Sequence, residues 1–416
     1  MSPSVDLDDW LTQMGFFGNP FEALEATKDP YLHECFIEPE GFHDIVGHAN
    51  NPRTTILFAP RGGGKTANRV MVDHWCQRGV GVGGRIFSIA YDREALKDLY
   101  LAHGRNVQAH HHVDAILKCA STAMFQYLTR YPEQYTHTLF RSRRYLHSLM
   151  QTYLDNRTID LTLERRNLLS DRLNSTRIRQ AINDKMLEQE IFGQMDLRGQ
   201  SIVGLILSML SAPDERVRIG PIGCRNLLVD FGDLALQVGM DAVYVLIDGV
   251  DEFAPFDKDP SAAATFLRSV FEDLALMELP RVAFKFFLPN EMQKDIIGRE
   301  YVRSDRVYWR EVIWTQTKLM EMLQARLGVF SHGSISTLGA ITEKDFAGSI
   351  DSELIRCASW LPRNVLRLGA LLFEVHVAEA SSNSALLTRN DFDVAFTRFR
   401  GEDEDLWWTK MFGSAE

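Results

Sequence analysis

Short apolar runs alternate with longer helical patterns along much of the chain. Four of these runs are rich in β-branched and aromatic residues and are bounded by glycine, proline or polar residues, as is typical of buried strands. The predicted strands are Thr54–Ala59, Arg85–Tyr91, Val243–Ile247 and Val282–Leu288. Strands that alternate with helices form a parallel sheet that is covered on both faces. The pattern therefore predicts an α/β fold, a three-layer sandwich around a parallel sheet.

Apolar positions at helical spacing account for most of the remaining chain. A helix is predicted from Thr66 to about Arg78, and a helical insertion covers about residues 95–220. We predict three parts: a leader over residues 1–50 that packs on the next domain, an α/β domain over 51–315 that carries the insertion, and a C-terminal helical domain over 316–416.

Composition and charge limit the class of protein. The chain of 416 residues is 45% apolar and carries a net charge of −11, which fits a globular protein and argues against a broad basic surface for nucleic acid. The five cysteines lie far apart in sequence, so they fit scattered reduced thiols rather than a zinc or redox motif. The first residues lack the apolar core of a signal peptide, and the longest apolar run, Ile202–Leu210, is about half of the ~20 residues that span a bilayer. We expect a cytoplasmic protein with no membrane contact.

A glycine-rich segment separates the first predicted strand from the helix that follows. Residues 59–66, here called the glycine loop, read Ala-Pro-Arg-Gly-Gly-Gly-Lys-Thr and match the P-loop pattern G-x-x-x-x-G-K-[ST] except for Ala59. In this motif the glycines bring backbone N–H groups to phosphate, the lysine contacts the β- and γ-phosphates, and the hydroxyl ligates magnesium. The predicted nucleotide-binding residues are Pro60, Arg61, Gly62, Gly63, Gly64, Lys65, Thr66 and Ala67. Lys65 is also expected to act in catalysis.

A second motif follows the third predicted strand. The strand runs into Asp248-Gly-Val-Asp251-Glu252, and a P-loop NTPase needs a carboxylate there for magnesium. We assign Asp248, together with Thr66, to the magnesium ion. Asp251 and Glu252 are alternatives for the group that orients or deprotonates the attacking water, and Glu252 is favoured. The predicted ligand is ATP with Mg²⁺, and the absence of an NKxD motif argues against guanine.

The DGVDE sequence after an apolar strand resembles the acidic motif of the STAND class of P-loop NTPases, and of its NACHT branch in particular. The leader, with Asn-Pro-Phe at residues 19–21 and with Phe42 and Ile45 ahead of the first strand, is similar to leaders of bacterial STAND-like and AAA-like ATPases. The resemblance covers about residues 40–90 and 225–365, and leaves the insertion out.

A proline motif near the C-terminus extends this resemblance. Leu361-Pro-Arg-Asn-Val-Leu-Arg367 resembles both the GxP-type motif of STAND lids and the Pro-Arg sensor of AAA+ lids. The resemblance implies an α-helical lid domain, with a winged helix as an open alternative, from which Arg363 contacts the phosphates. The competing interpretation is a proline at the first helical turn without a nucleotide contact.

Further candidates come from the family position alone. Lys285 or Asn290 would sense the γ-phosphate, although Lys285 also fits a lysine that extends from an edge strand. Arg303 or Arg306 would act as an arginine finger for a neighbouring subunit, or would lie on a solvated turn. An aromatic helix start is predicted at Tyr308.

The resemblance implies a nucleotide-dependent switch that hydrolyses ATP slowly and acts in bacterial signalling or defence. Its active state would be a homo-oligomer or a complex with a separate partner protein. One alternative is a DNA-dependent AAA+ ATPase of the transposition-regulator or loader type, against which the acidic charge argues. The other is a scaffold that binds ATP without hydrolysis, against which the intact Lys65, Thr66, Asp248 and Glu252 argue.

Overall fold

A computed structural model describes most of the chain. The described residues are 6–79, 81–165, 197–210, 220, 223–298, 301–303, 305–379 and 386–412. Part of the predicted insertion, residues 166–196 and 211–219, therefore lies outside the described residues.

Within the described residues, five strands form one parallel sheet. The strands are β1 (Thr55–Ala59), β2 (Ile86–Tyr91), β3 (Ala242–Asp248), β4 (Val282–Pro289) and β5 (Tyr308–Glu311). Their order across the sheet is β2-β3-β4-β1-β5. In the register, Phe87 pairs with Val243, which pairs with Val282 on its other side. The interior strands β1, β3 and β4 are buried along their whole length, because a parallel sheet is covered on both faces.

The predicted α/β class and its four strands are confirmed. The fifth strand was missed, and the helix predicted to start at Tyr308 is wrong. Tyr308–Glu311 reads Tyr-Trp-Arg-Glu and is partly exposed, so this short edge strand lacks the apolar run by which the interior strands were found.

Helices fill most of the remaining described chain. Their bounds are α1 (Leu7–Met14), α2 (Leu32–Cys35), α3 (Phe42–Val46), α4 (Lys65–Arg78), α5 (Arg93–His103), α6 (Ala109–Arg130), α7 (Glu133–Thr136), α8 (Phe140–Tyr153), α9 (Asn156–Arg165), α10 (Leu197–Leu210), α11 (Cys224–Gln237), α12 (Pro260–Phe271), α13 (Leu274–Met277), α14 (Gln293–Ile296), α15 (Gln316–Phe330), α16 (Ile350–Cys357), α17 (Pro362–Glu379) and α18 (Arg389–Phe412). Short 3₁₀ turns lie at Ala26–Lys28, Asn290–Met292 and Leu338–Ile341. None of the helices in the described ranges is long and apolar enough to cross a bilayer.

Side-chain caps explain where several helices begin. Asp92 accepts a hydrogen bond from the Ala95 amide ahead of α5, and Thr315 accepts one from the Lys318 amide at α15. At α12 the cap is Asp259, and a proline occupies the first helical position. These residues satisfy amides of the first helical turn that have no partner inside the helix.

The chain divides into two compact units, which differ from the three predicted parts. The first unit contains Met1–Phe42, Phe58–Met71 and Glu311–Glu416. The second contains His43–Leu57 and Val72–Arg310. The chain passes from one unit to the other four times, inside α3, β1, α4 and β5, so none of these boundaries falls in a linker between elements.

One hydrophobic core fills the first unit. Trp10, Phe16 and Phe21 of the leader are buried in the same cluster as side chains from α15 to α18. The nearly buried Arg326 of α15 donates to the Pro20 carbonyl and forms a 2.6 Å ion pair with Asp29. The leader is therefore divided: its part up to Phe42 belongs to the unit of the C-terminal helices, whereas residues 43–50 belong to the second unit, where the Ile45 carbonyl accepts from Lys285. Aromatic residues show that a segment is buried but not which surface buries it.

In the second unit, a buried histidine joins the insertion to the sheet. His112 of α6 lies 2.9 Å from the hydroxyl of Tyr91 on β2, and its other ring nitrogen lies 3.1 Å from the carbonyl oxygen of Phe266 on α12. Burial lowers the pKa of His112 to about 4, so the ring is neutral at pH 7. The described part of the insertion is helical, as predicted.

Candidate functional site

The geometry of the glycine loop explains its three consecutive glycines. Gly62 and Gly64 have φ angles of +75° and +93°, in the left-handed region that favours glycine. Gly63 has no room for a side chain, because an added Cβ would lie 2.8 Å from the ring and the carbonyl oxygen of Pro60. Its amide donates to that same carbonyl at 2.9 Å. The loop is thus a tight turn that ends where α4 begins at Lys65.

Two residues from the C-terminal part of the first unit hold the loop's carbonyl groups. The Gly62 carbonyl accepts a hydrogen bond from the backbone amide of Arg363 at 3.3 Å. The Gly63 carbonyl accepts one from the indole Nε1 of Trp314 at 2.9 Å. Both carbonyl oxygens are therefore engaged by protein donors.

Among the described residues, three amides of the loop have no acceptor, whereas the third glycine carbonyl is engaged. The Gly64 carbonyl accepts from both the backbone amide and the side-chain amide of Asn68, at 2.9 and 2.8 Å. In the part of the chain that the structure describes, the amides of Gly62, Gly64 and Thr66 donate no hydrogen bond. Engaged carbonyls and available amides suit an anion better than a cation.

The predicted residues Pro60–Ala67 lie together on this loop and on the first turn of α4. The Lys65 side chain is buried, Thr66 and Ala67 are half-buried, and Arg61 is exposed. A helix N-terminus carries partial positive charge, which adds to the charge of the lysine.

Arg363 also lies at the loop, and its predicted contact with phosphates stays a prediction. Its Cβ would be 3.3 Å from a Cβ on Gly62, and its side chain is exposed. The turn before it is strained, because Ser359 and Trp360 both have positive φ angles, 52° and 62°. Such conformations cost of order 1 kcal/mol each in residues other than glycine. This turn brings the start of α17 to the glycine loop.

The acidic motif lies in the second unit. The strand β3 ends at Asp248, which is buried, and Asp251 is buried as well, whereas Glu252 is exposed. The intervening Gly249 has a φ of +80°, and an added Cβ would lie 2.9 Å from the Cβ of Arg93. The sequence therefore needs a glycine between the strand and the acidic turn. Of the two alternatives for activating water, Glu252 is the one that solvent reaches.

Lys285 has a structural role in the second unit. Its ammonium group is fully buried, donates to the carbonyls of Ile45 and Arg53 at 2.8 Å each, and lies 4.4 Å from the centre of the Tyr244 ring. Burial lowers its pKa to about 7. The alternative of a lysine on an edge strand is wrong, because β4 lies between β3 and β1.

The remaining candidates for a phosphate sensor and an arginine finger are Asn290, Arg303 and Arg306. Asn290 directly follows β4 and opens a 3₁₀ turn. Arg303 pairs with Asp305 at 3.0 Å and Arg306 with Glu278 at 3.6 Å, and all four side chains are more than half exposed. Both arginines thus match the solvated turn, and an arginine finger remains a prediction that needs a neighbouring subunit.

Sequence reasoning missed Trp314 and Asn68. Asn68 lies four residues after Gly64, the spacing at which a helical side chain returns to the preceding turn, so its contact was accessible from the sequence. Trp314 lies 251 residues from Gly63, and no local pattern connects the two.

No known family model matches the chain, and no curated protein is significantly similar to it.

Proposed function

We propose that this protein binds ATP with magnesium at the glycine loop. The observation that carries the proposal is the arrangement of the loop's backbone. The carbonyls of Gly62, Gly63 and Gly64 are engaged by protein donors, while the amides of Gly62, Gly64 and Thr66 have no acceptor within the described part of the chain. Together with the buried Lys65, these groups fit a chain of phosphates.

Each residue has a specific part in this proposal. The loop amides bind the β-phosphate, and Lys65 places its ammonium group between the β- and γ-phosphates. Arg363, whose backbone contacts Gly62, contributes a second cation from the start of α17. The lack of an NKxD motif favours adenine over guanine as the base.

Magnesium supplies positive charge that neutralises the phosphate oxygens. No group of three or more histidine, cysteine or carboxylate side chains that would hold a metal occurs among the described residues. Mg²⁺ does not need one, because it is typically bound by one or two protein oxygens, the phosphates and water. The Thr66 hydroxyl is the oxygen that the first unit offers. Asp248 belongs to the second unit, so its sharing of that ion with Thr66 stays a prediction from sequence.

The function proposed beyond binding is that of a STAND-like switch, which hydrolyses ATP slowly and changes its assembly or its partner protein with the nucleotide. Glu252 would activate the attacking water, with Asp251 as the alternative. The acidic motif and the lid-like position of Arg363 support this proposal.

Hydrogen exchange at the loop tests the binding proposal. Saturating magnesium-ATP is expected to slow amide exchange in the segment of residues 60–67, because phosphate oxygens would accept hydrogen bonds from the amides of Gly62, Gly64 and Thr66. A matched sample with magnesium and adenosine, which lacks phosphates, is expected to leave exchange in this segment unchanged. Equal exchange with and without ATP would contradict the proposal.

Turnover distinguishes the three functions. We expect slow ATP hydrolysis that does not depend on DNA. Hydrolysis that increases with both DNA and protein concentration would favour the DNA-dependent ring ATPase. Tight binding with no turnover in any condition would favour the scaffold.

A further inference from the structure

The glycine loop needs support from outside itself. Glycine is the most conformationally permissive residue, so three in succession leave many backbone states to be lost on binding. A loop that is ordered only by its ligand binds that ligand more weakly than one held in the binding conformation beforehand. Contacts that fix Gly62, Gly63 and Gly64 therefore act on affinity.

Trp314 provides such a contact. Its indole Nε1 donates to the Gly63 carbonyl at 2.9 Å, and its Cζ2 atom lies 3.9 Å from the place of a Cβ on Gly64. The hydrogen bond holds this carbonyl at the indole, and the ring limits the space beside Gly64. Without the donor, the carbonyl is free to rotate toward the phosphates, which it would repel.

The same residue belongs to the C-terminal part of the first unit. Trp314 is partly buried against the hydrophobic core of that unit. Two residues earlier, the Val312 amide donates to the Phe58 carbonyl at 2.8 Å. One residue later, Thr315 caps α15 by accepting from Lys318. One side chain thus connects the glycine loop to the beginning of α15.

We propose that Trp314 is a positioning residue that holds the glycine loop in its anion-binding conformation and links phosphate binding to the C-terminal helices. The inference rests on the proposed function. Because linkage is reciprocal, a contact that favours phosphate binding must itself respond to the phosphate.

Affinities of the full chain test the first half of the proposal. Trp314→Phe keeps an aromatic ring and removes the donor, and Trp10→Phe makes the same change in α1, where the ring packs on Phe373 and His376. Loss of one neutral hydrogen bond predicts that Trp314→Phe weakens binding by roughly 2- to 12-fold. The factor should be the same for magnesium-ATP and for magnesium-tripolyphosphate, because the residue acts on the phosphate loop. Trp10→Phe should bind both like the wild type, even where it lowers the melting temperature.

Indole resonances test the second half. Each of the seven tryptophans contributes one indole N–H signal, and the signal that is missing from Trp314→Phe identifies that residue. Tripolyphosphate is expected to slow the hydrogen exchange of this signal, while exchange of the Trp10 signal, identified in the same way, stays unchanged. An exchange rate of the Trp314 signal that is the same with and without the bound ligand would overturn the linkage.

The outcomes separate this inference from the function on which it rests. If the wild type binds neither ATP nor tripolyphosphate, the proposed function is overturned and the inference with it. If the wild type binds both and Trp314→Phe binds equally well, or if only ATP binding is affected, the positioning role of Trp314 is overturned while nucleotide binding stands.

Discussion

Replacement of Gly63 by alanine tests whether the shape of the glycine loop determines binding. An alanine Cβ would stand 2.8 Å from two ring carbons and the carbonyl oxygen of Pro60. Neither a proline ring nor a backbone carbonyl can rotate away, so the loop backbone must shift and its 2.9 Å turn hydrogen bond is disturbed. Overpacking of this kind costs about 1–3 kcal/mol. If that cost falls on the binding conformation, ATP affinity should drop by roughly 5- to 150-fold.

Two other glycines of the first unit provide matched controls for the same substitution. Gly328 lies in α15 with nothing within 4 Å of an added Cβ, so Gly328→Ala should stabilise the protein by about 0.5–1 kcal/mol. Gly369 lies in α17, where the added Cβ would meet the buried Phe21 ring at 2.8 Å. Gly369→Ala should therefore lower stability without changing the loop.

The assay combines calorimetric titration with magnesium-ATP and thermal unfolding of all three variants. Only Gly63→Ala is expected to lose affinity, and only Gly369→Ala is expected to show a clear loss of melting temperature with wild-type affinity. Wild-type ATP affinity in Gly63→Ala would refute the account of the loop. A parallel loss of affinity in Gly369→Ala would show that general destabilisation, rather than loop shape, controls binding.

The remaining predictions concern pH, the leader and catalysis. Burial lowers the pKa of His112 from 6.5 in the unfolded chain to about 4 in the folded protein, so between these pH values the unfolded chain binds one more proton. Up to about 3 kcal/mol of stability should therefore be lost as the pH falls from 6.5 to 4. Chemical denaturation of His112→Gln should show a weaker dependence of stability on pH, and an equal dependence in the variant and the wild type would contradict the burial argument. Arg326→Met should lower the free energy of unfolding, measured by denaturant titration, by about 3–5 kcal/mol, because it leaves the buried Asp29 carboxylate without its cation. Adding Asp29→Asn to this variant should recover part of the loss, and no recovery would argue against the ion pair. Glu252→Gln should reduce ATP turnover by at least ~10²-fold and leave ATP affinity unchanged. If Glu252→Gln kept full ATPase activity and Asp251→Asn lost it, Asp251 rather than Glu252 would be the residue that activates water.

The sequence predicts those elements and site residues that lie next to one another along the chain. The strands β1 to β4 are apolar runs, and the glycine loop is a single motif between a strand and a helix, so both could be located without the structure. The exposed edge strand β5 reads Tyr-Trp-Arg-Glu and carries no such signal. The same limit applies to Trp314, whose bond to Gly63 spans 251 residues.

The hydrophobic pattern of the sequence does not predict which surfaces pack together or which groups a buried charge contacts. The aromatic pattern predicts a leader that packs on the α/β domain, whereas its residues Trp10, Phe16 and Phe21 pack with the C-terminal helices. The sequence position of Lys285 fits a phosphate sensor or a lysine on an edge strand, but its ammonium group donates to two backbone carbonyls inside the second unit. The hydrogen-bond partners of a buried lysine depend on the tertiary fold, and local sequence patterns do not predict them.

Lys65 and the glycine loop are proposed to bind the phosphates of ATP. This proposal is tested by titrating magnesium-ATP into the wild-type protein and into Lys65→Ala, with melting curves to show that both are folded. We expect saturable binding by the wild type and a loss of at least ~10-fold in the variant, because a charge-assisted contact contributes about 1.5–3 kcal/mol. Equal affinity of the two folded proteins, or no binding by the wild type, would contradict it.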